Sequence, residues 1–420
     1  MAQLSARQIA LVALRLWRKE KRFADSIVSE LLAKAGLTPS DRAFALELFY
    51  GVLRNLTLLD FWIACLRVSR VDADLRDILR LGSYQLFFLE TAEHAAVHET
   101  VELGAKGQRP IINAMLRAAT RRRSELRVSA NAQPLFVRMS HPQFLVERWQ
   151  QHSGVEHAQA LCKWNNLPAP VYCRINRLGI DRDEFLRLYS GARPLTRDFE
   201  FVEFDSLPTN ALTRGHCYIQ DPSTLLACQV LDPKPGEKVL DACAAPGGKT
   251  GYIAQLMENL GIIVACDRDP ERLETLKQNM ARLGVVIAHI LRHDWTSSHV
   301  PPEIATLAPF DRILVDSPCS NTGVMRRRAD LRWRLRRTDF DRMQQLQIEI
   351  VRALIPLLKP NGVLVYSTCS LEPEENKEVV RRILEQTSSL SLETERSSLP
   401  FRDGFDGAYA ARLVRNMPSD

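Results

Sequence analysis

The sequence predicts an α/β protein in which an all-helical domain and a small α+β segment precede a doubly wound, parallel-stranded domain. Three observations carry this. Apolar residues recur at three- and four-residue spacing from Leu4 to about Arg123, short Val- and Ile-rich runs alternate with helical patterns after Pro233, and the stretch between obeys neither rule. The 420 residues, at roughly 100 to 200 per domain, are divided accordingly. We expect a helical domain at 1–125, a linker at 126–140, a small α+β subdomain at 141–220 and the parallel-sheet domain at 221–420.

In the first segment Ile9, Val12, Ala13 and Leu16, then Ile27, Leu31 and Leu32, then Phe44, Leu48 and Phe49 mark successive helical stripes. Pro occurs there only at Pro39 and Pro110, both between candidate helices, where a missing N–H does least harm. The middle segment holds an amphipathic stretch from Phe144 to Trp149, the Pro-rich LPAPVYCRINR and the alternating FEFVEF. In the last segment KVLDAC, IIVACD, VVIAHIL, RILVD and VLVYS read as buried strands. The long helix after Thr338 places Met343, Leu346, Ile350, Leu354 and Leu357 on one stripe.

Composition narrows the class of function. With 45% hydrophobic and 25% charged residues the chain is neither disordered nor a small stapled scaffold. Its net charge of +6 is uneven. Residues 1–140 carry 21 basic and 14 acidic side chains, which leaves the remainder at −1, so an anionic partner is expected at the N-terminal domain. Nine cysteines with no C-x-x-C pair argue against both a disulfide framework and a zinc site, and no metal is expected. The stretch MAQLSARQIALVALRLWRKEKR is too charged for a signal peptide and no 18-residue apolar run follows, so a cytoplasmic protein with no membrane partner is expected.

The first strand of the last domain ends in Asp241, Ala242, Cys243, Ala244, Ala245, Pro246, Gly247, Gly248, Lys249 and Thr250, then enters a helix. A loop so poor in side-chain bulk lets a ligand reach backbone N–H groups and the positive helix end. It matches neither the dinucleotide nor the P-loop pattern. Asp267 closes the second strand and Asp294 follows the third, each at the edge where open α/β sheets hold ligands, and a carboxylate ending the second strand characteristically accepts ribose hydroxyls. Either alone reads as a helix cap or a solvated loop charge, whereas beside the glycine loop they point to a nucleoside. Two further strands end in Asp316-Ser317-Pro318-Cys319 and in Ser367-Thr368-Cys369, which delivers two thiols to one sheet edge. Cys65, Cys162, Cys228 and Cys266 read instead as small core hydrophobes.

DACAAPGGKT at 241–250, DSPCSNTGVMRRRADLRW at 316–333 and YSTCSLEPEEN at 366–376 resemble the S-adenosylmethionine-dependent RNA cytosine-C5 methyltransferases of the NOL/NOP/Sun group. DRAFALELFYGVLRN, ILRLGSYQLFFLE, HAAVHETVEL and INAMLR resemble the NusB-like helical domain that precedes the Rossmann-like domain in the bacterial Sun/Fmu branch, which modifies 16S ribosomal RNA. Ser317, where Ala is commoner, Asn321 and the DGFDGAYAARL ending depart from the pattern. The resemblance implies S-adenosylmethionine held by Cys243 to Lys249, with Asp267 on the ribose hydroxyls, Asp294 on the adenine and Asp316 also at the cofactor. It implies catalysis by Cys369, Cys319, Asp316 and Lys249, with Cys369 attacking and Cys319 assisting release. The residues alone leave that order open, since a Pro-Cys pair serves as nucleophile in DNA cytosine methyltransferases. Small-subunit ribosomal RNA is the implied partner of a monomer; a tRNA or other RNA acceptor, or a non-catalytic assembly factor, are the alternatives.

The residue types suit such a reaction. Cytosine C5 is a poor nucleophile until a thiolate adds to C6, so a cysteine is required, and a second group must handle the proton that leaves C5. The target base must also lie outside a helical stack. Arg326, Arg327, Arg328, Arg332, Arg334, Arg336 and Arg337, with Trp333 among them, are expected to meet phosphates and stack on a base.

Overall fold

The computed structural model describes residues 4–67, 69–195, 200–297 and 299–417. The chain forms two compact units, Met1–Pro168 with Met325–Leu335, and Ala169–Val324 with Arg336–Asp420.

The first unit is helical throughout its described elements, from Ala6–Lys19 to Val155–Asn166. Its helices start where the sequence supplies caps. Ser5 accepts from the Gln8 N–H while the Gln8 side chain accepts in return from Ser5 N, and the side chains of Thr38 and Asp72 accept first-turn N–H groups of Pro39–Arg54 and Ala73–Phe88. Pro39 and Pro110 both fall in a first helical turn, where no N–H is needed. Ile9, Ala13, Ile27, Leu48, Phe49, Ile78 and Leu116 form the core, with Trp62 stacked on Phe87 at 4.0 Å. The stretch expected as a linker, 126–140, is instead largely helical, belonging to Arg123–Asn131 and Leu135–Arg138, because Leu126, Ala130 and Leu135 are buried and keep the chain folded. Gln143–Ser153 and Val155–Asn166, expected in the α+β segment, also belong to this unit. No single helix among the described residues is long and apolar enough to cross a membrane.

The second unit opens with a small antiparallel sheet of β1 (Val171–Ile175), β2 (Arg193–Pro194), β3 (Phe201–Phe204) and β4 (Cys217–Ile219) in the order β2-β3-β1-β4. The FEFVEF alternation is β3 from Phe201 onward, and Phe199 lies outside the described residues. A seven-stranded sheet follows, made of β5 (Lys238–Asp241), β6 (Ile262–Asp267), β7 (Ala288–Arg292), β8 (Phe310–Asp316), β9 (Leu358–Thr368), β10 (Leu390–Ser398) and β11 (Ala408–Arg415). Its order is β10-β11-β9-β8-β5-β6-β7. The five strands from β5 to β9 are parallel, as the alternation of runs and helices predicts, and the unit is Rossmann-like. The last two depart from the expected parallel sheet. β11 runs antiparallel to β9 and to β10, so the unusual DGFDGAYAARL ending becomes an inner strand of a mixed sheet. After β5 the chain winds outward through β6 and β7, and after β8 it winds the other way, so the switch point lies between β5 and β8.

Candidate active site

Every singled-out loop of the second unit leaves the carboxyl edge of the large sheet near this switch point, where an open α/β sheet has room for a ligand. The loop after β5 turns into helix Gly248–Leu256 through Gly247, at φ +105°; a Cβ there would stand 2.6 Å from Leu276, so glycine is needed for both conformation and packing. Asp267, ending β6, is almost fully buried. Its carboxylate accepts from Ala245 N at 3.3 Å and Asp269 N at 3.1 Å and faces Arg272 at 3.4 Å, so it is fixed in direction. Asp294, beyond β7, is exposed and accepts from both the N–H and the hydroxyl of Thr296; these two bonds hold its carboxyl below the ordinary range.

Cys243, Asp267 and Asp294 line one cleft together with His293, Trp295, Pro318 and Leu346. The remaining loop residues, Ala244 to Gly248, shape the turn behind it. Trp295 is fixed by its indole N–H, which donates to Ala242 O at 2.8 Å, and His293 meets its face edge-on at 4.4 Å. The His293 Nε2 is buried with no hydrogen-bond partner among the described residues. His293 and Trp295 were not singled out in the sequence, where the HDW run after the third strand was the available signal, and Leu346 was read only as part of an apolar helix stripe.

On the other side of the switch point the thiols meet. Cys319 Sγ and Cys369 Sγ are 3.4 Å apart, because Ser317 N donates to Ser367 O at 2.8 Å and Gly323 N to Cys369 O at 2.9 Å, which tie the two strand-end loops together. Gly323 is required by close approach: a Cβ would stand 2.6 Å from Cys369 O and 2.7 Å from Gly407 Cα. Asn321, at φ +58°, donates from its amide to Cys319 O at 2.8 Å, leaving its oxygen 3.1 Å from Cys369 Sγ. The hydrogen bond to Cys369, followed by burial, pushes the Cys319 thiol well up, so Cys319 keeps its proton.

Lys249 Nζ lies 2.6 Å from Asp316 Oδ2. Burial pulls the ammonium down, but the charge and hydrogen bond of Asp316, with smaller contributions from Cys228 and Cys369, outweigh it, so Lys249 stays charged within reach of the Cys369 field. Asp241 behind it is pushed up to about 7 by burial. The structure thus brings Lys249, Asp316, Cys319 and Cys369 together and gathers Cys243, Asp267 and Asp294 at one cleft. Cys162, Cys228 and Cys266 are buried and Cys65 half-buried; Cys228 and Cys266 pack behind the loop after β5, with Cys228 Sγ 3.9 Å from Lys249 O and Cys266 O accepting from Ala244 N at 2.8 Å.

The arginine cluster is a correction. Arg332 is fully buried and its guanidinium donates to Asn166 Oδ1 at 2.7 Å, Asn165 O at 2.9 Å and Ser140 O at 3.2 Å. Arg326 lies over Trp164 and donates to Pro168 O, Arg334 donates to main-chain oxygens of Trp17, Glu20 and Arg22, and the Trp333 indole donates to Leu53 O. These four fasten Met325–Leu335 into the helical unit rather than facing a ligand, because a planar fork satisfies several carbonyls at once. Arg328, Arg336 and Arg337 are exposed.

Residues 228–414 match the family described as 16S rRNA methyltransferase RsmB/F, residues 4–121 the NusB family, and residues 141–193 the RsmF/B-like ferredoxin-like domain. The chain is 33% identical over 403 residues to a "Probable ribosomal RNA small subunit methyltransferase B" of Bacillus subtilis (strain 168), covering 92% of this chain and 89% of that one. It is 34% identical over 438 residues to the "Ribosomal RNA small subunit methyltransferase B" of Enterobacter sp. (strain 638), covering 99% and 100%. Among solved structures, PH0851 superposes with a TM-score of 0.79 at 25% identity over 98% of this chain and all of that one. A methyltransferase homolog protein from Pyrococcus horikoshii gives 0.58 at 29% identity over 67% and 97%.

Proposed function

The chain belongs to the 16S rRNA methyltransferase RsmB/F family, and from that premise we propose that it methylates C5 of a cytosine in small-subunit ribosomal RNA through a cysteine–C6 adduct, with S-adenosylmethionine as methyl donor. The observation that carries this reading is the pair of thiols 3.4 Å apart beside the Lys249–Asp316 ion pair. Acceptors that are already nucleophilic need no such pair.

The cleft fits the donor. A pinned carboxylate at Asp267 suits a ribose diol, the Trp295 ring offers an apolar wall, the buried unpartnered Nε2 of His293 offers a polar contact, and Asp294 stands at the mouth. When bound there, S-adenosylmethionine supplies an electrophilic methyl group. Cys369 acts on the acceptor: its thiolate adds an electron pair to C6, and the displaced C5–C6 π pair makes C5 nucleophilic. Lys249 places a positive charge beside the two thiols, and Asp316 keeps the ammonium in place while providing an oxygen that can meet the base. After C5 is methylated its proton must leave, the returning pair forms the double bond, and the C6–S bond breaks. Cys319 is the group placed to serve this release: once Cys369 Sγ is bonded to C6 it no longer holds the Cys319 proton, and Cys319, having lost that proton to solvent, takes the C5 proton as the C6–S bond breaks to return the Cys369 thiolate.

The two thiols therefore fail differently. Cys369→Ala should abolish transfer and give no covalent complex, whereas Cys319→Ala should accumulate a protein–RNA adduct that survives denaturing electrophoresis. An adduct from Cys369→Ala alone reverses the assignment, and full activity in both variants removes the thiol mechanism. Bisulfite sequencing of RNA from a strain lacking the protein identifies the base; loss of a modified cytosine in tRNA instead of small-subunit rRNA would overturn the acceptor.

A further inference from the structure

The two sulfurs sit on separate loops, and something must hold those loops in register at the end of the sheet. Behind the thiols lies Glu375, a carboxylate with 0% of its surface exposed. Its Oε2 accepts from Ser320 N at 2.8 Å and Gln347 Nε2 at 3.1 Å; its Oε1 accepts from the hydroxyls of Ser370, at 2.9 Å, and Ser320. Ser320 follows Cys319 and Ser370 follows Cys369, so one rigid group grips the neighbour of each sulfur. Gln347, from helix Thr338–Leu354, also donates to Pro318 O at 2.9 Å, and the Tyr366 hydroxyl donates to Glu375 O at 2.5 Å, which fixes the clamp against helix and sheet.

We infer that Glu375 is a positioning residue for the two-thiol reaction, its carboxylate setting the distance and direction between Cys319 and Cys369. The inference rests on the proposed function, in which both thiols act on one base. A buried carboxylate met by four neutral donors is costly unless every bond is made, and that requirement is what makes it geometrically strict. The chain could close these loops with apolar contacts; it uses a group whose four bonds define position. The role needs shape and hydrogen bonding rather than charge. Burial pushes the Glu375 carboxyl up, and a glutamine with its oxygen at the Oε2 position keeps both N–H bonds while its NH2 donates to the two serine hydroxyls, which rotate to accept.

The test uses the full chain and two readouts. The first is the rate at which the diazene oxidant diamide, taking up two protons and two electrons, closes Cys319 and Cys369 into a disulfide, followed by mass. The second is kcat and KM for transfer to small-subunit rRNA. Glu375→Ala and the double variant Ser320→Ala/Ser370→Ala should each slow closure and lower kcat by about tenfold or more with KM little changed, since misplacement of reacting groups is costly. Glu375→Gln should recover most of both. Wild-type closure and kcat in the serine double variant would overturn the inference even if Glu375→Ala fails to fold, and so would a Gln variant as impaired as Ala, which would make charge the operative property. Absence of methyl transfer by the wild type would instead remove the functional reading while the order of closure rates still judges the clamp.

Discussion

Asp241→Asn should stabilise the second unit, and its dependence on pH identifies the cause. Asp241 is fully buried; one oxygen accepts the Thr250 hydroxyl at 2.7 Å, and the other has no partner among the described residues. Burial, opposed by the Thr250 bond and aided by the charge of Asp316, pushes the carboxyl from 3.8 up to about 7. Between those values the folded protein binds the proton that the unfolded chain has lost, so stability falls as pH rises from about 4 to about 7. A difference of about three pH units at 1.36 kcal/mol each gives an upper bound of about 4 kcal/mol. Asparagine keeps the Thr250 bond and carries no charge, so a gain of about 1 to 4 kcal/mol is expected at pH 8. For a unit of this size each kcal/mol is about 2 to 4 °C in Tm. Thermal denaturation of wild type and variant at pH 5 and pH 8 decides it, because at pH 5 only about one of the three pH units has been lost, so the gap there should be less than half of that at pH 8. A gap of equal size at both pH values, or a less stable variant at pH 8, would refute the reasoning. The groups around Asp241, namely Lys249, Asp316 and Asp267, all belong to the candidate site, which is where such a cost is commonly retained.

Asp267→Ala should weaken S-adenosylmethionine binding by about 1 to 3 kcal/mol, since ligand hydroxyls and the Ala245 N–H both lose an acceptor; calorimetry showing unchanged affinity would remove Asp267 from the cofactor site. Arg332→Met leaves two buried acceptors and one half-buried one without a donor and should cost the helical unit about 3 to 5 kcal/mol while leaving the salt dependence of RNA binding unchanged. Arg328→Ala with Arg336→Ala, both exposed, should lower that salt slope by about one for each phosphate no longer neutralised and leave the melting curve alone; the opposite pattern, a flatter salt slope from Arg332→Met and none from the exposed pair, would restore the buried arginine as an RNA ligand. His141 is fully buried, donating from Nδ1 to Met139 O while Nε2 accepts from Asn165, and burial followed by the charge of Arg332 pulls its pKa well below 6.5. Below pH 6.5 the unfolded chain alone gains this proton, so the helical unit should lose up to about 1.4 kcal/mol per pH unit, and His141→Gln should flatten that slope in acid denaturation curves.

The helices of the first unit and the parallel strands β5 to β9 were legible because their residues repeat with the period of the structure they form. Asp241, Asp267, Asp316 and Cys369 were legible for a related reason: a residue that ends a strand in an open sheet is placed at the ligand edge by topology. What failed depended on partners far along the chain. The burial of Arg332 is decided by acceptors at Ser140, Asn165 and Asn166, which no local window contains, so the charge run read as solvated surface. The antiparallel β10 and β11 were missed because LSLETERSS in β10 is mostly exposed and polar, and its pairing is supplied by β11 rather than by its own pattern. Glu375 reads in sequence as one more acid in LEPEEN, and the clamp inferred for it appears only when Ser320 and Ser370 arrive around it.

The topology also explains why one ion pair matters more than its 2.6 Å suggests. Lys249 comes from the helix after β5 and Asp316 from the end of β8, so the pair spans the switch point itself. On the β6 and β7 side stand Asp267, His293, Asp294 and Trp295; on the β8 and β9 side stand Cys319, Cys369 and the Glu375 clamp. In the proposed reaction a methyl donor and a thiol-bound acceptor on opposite sides would meet above β5 and β8, where the remaining requirement is a charge that does not itself attack the ring. An ammonium kept protonated by a neighbouring carboxylate meets that requirement, and a neutral amine would compete with the thiol as nucleophile. In that proposal the carboxylate of Asp316 acts first by denying Lys249 the chance to lose its proton.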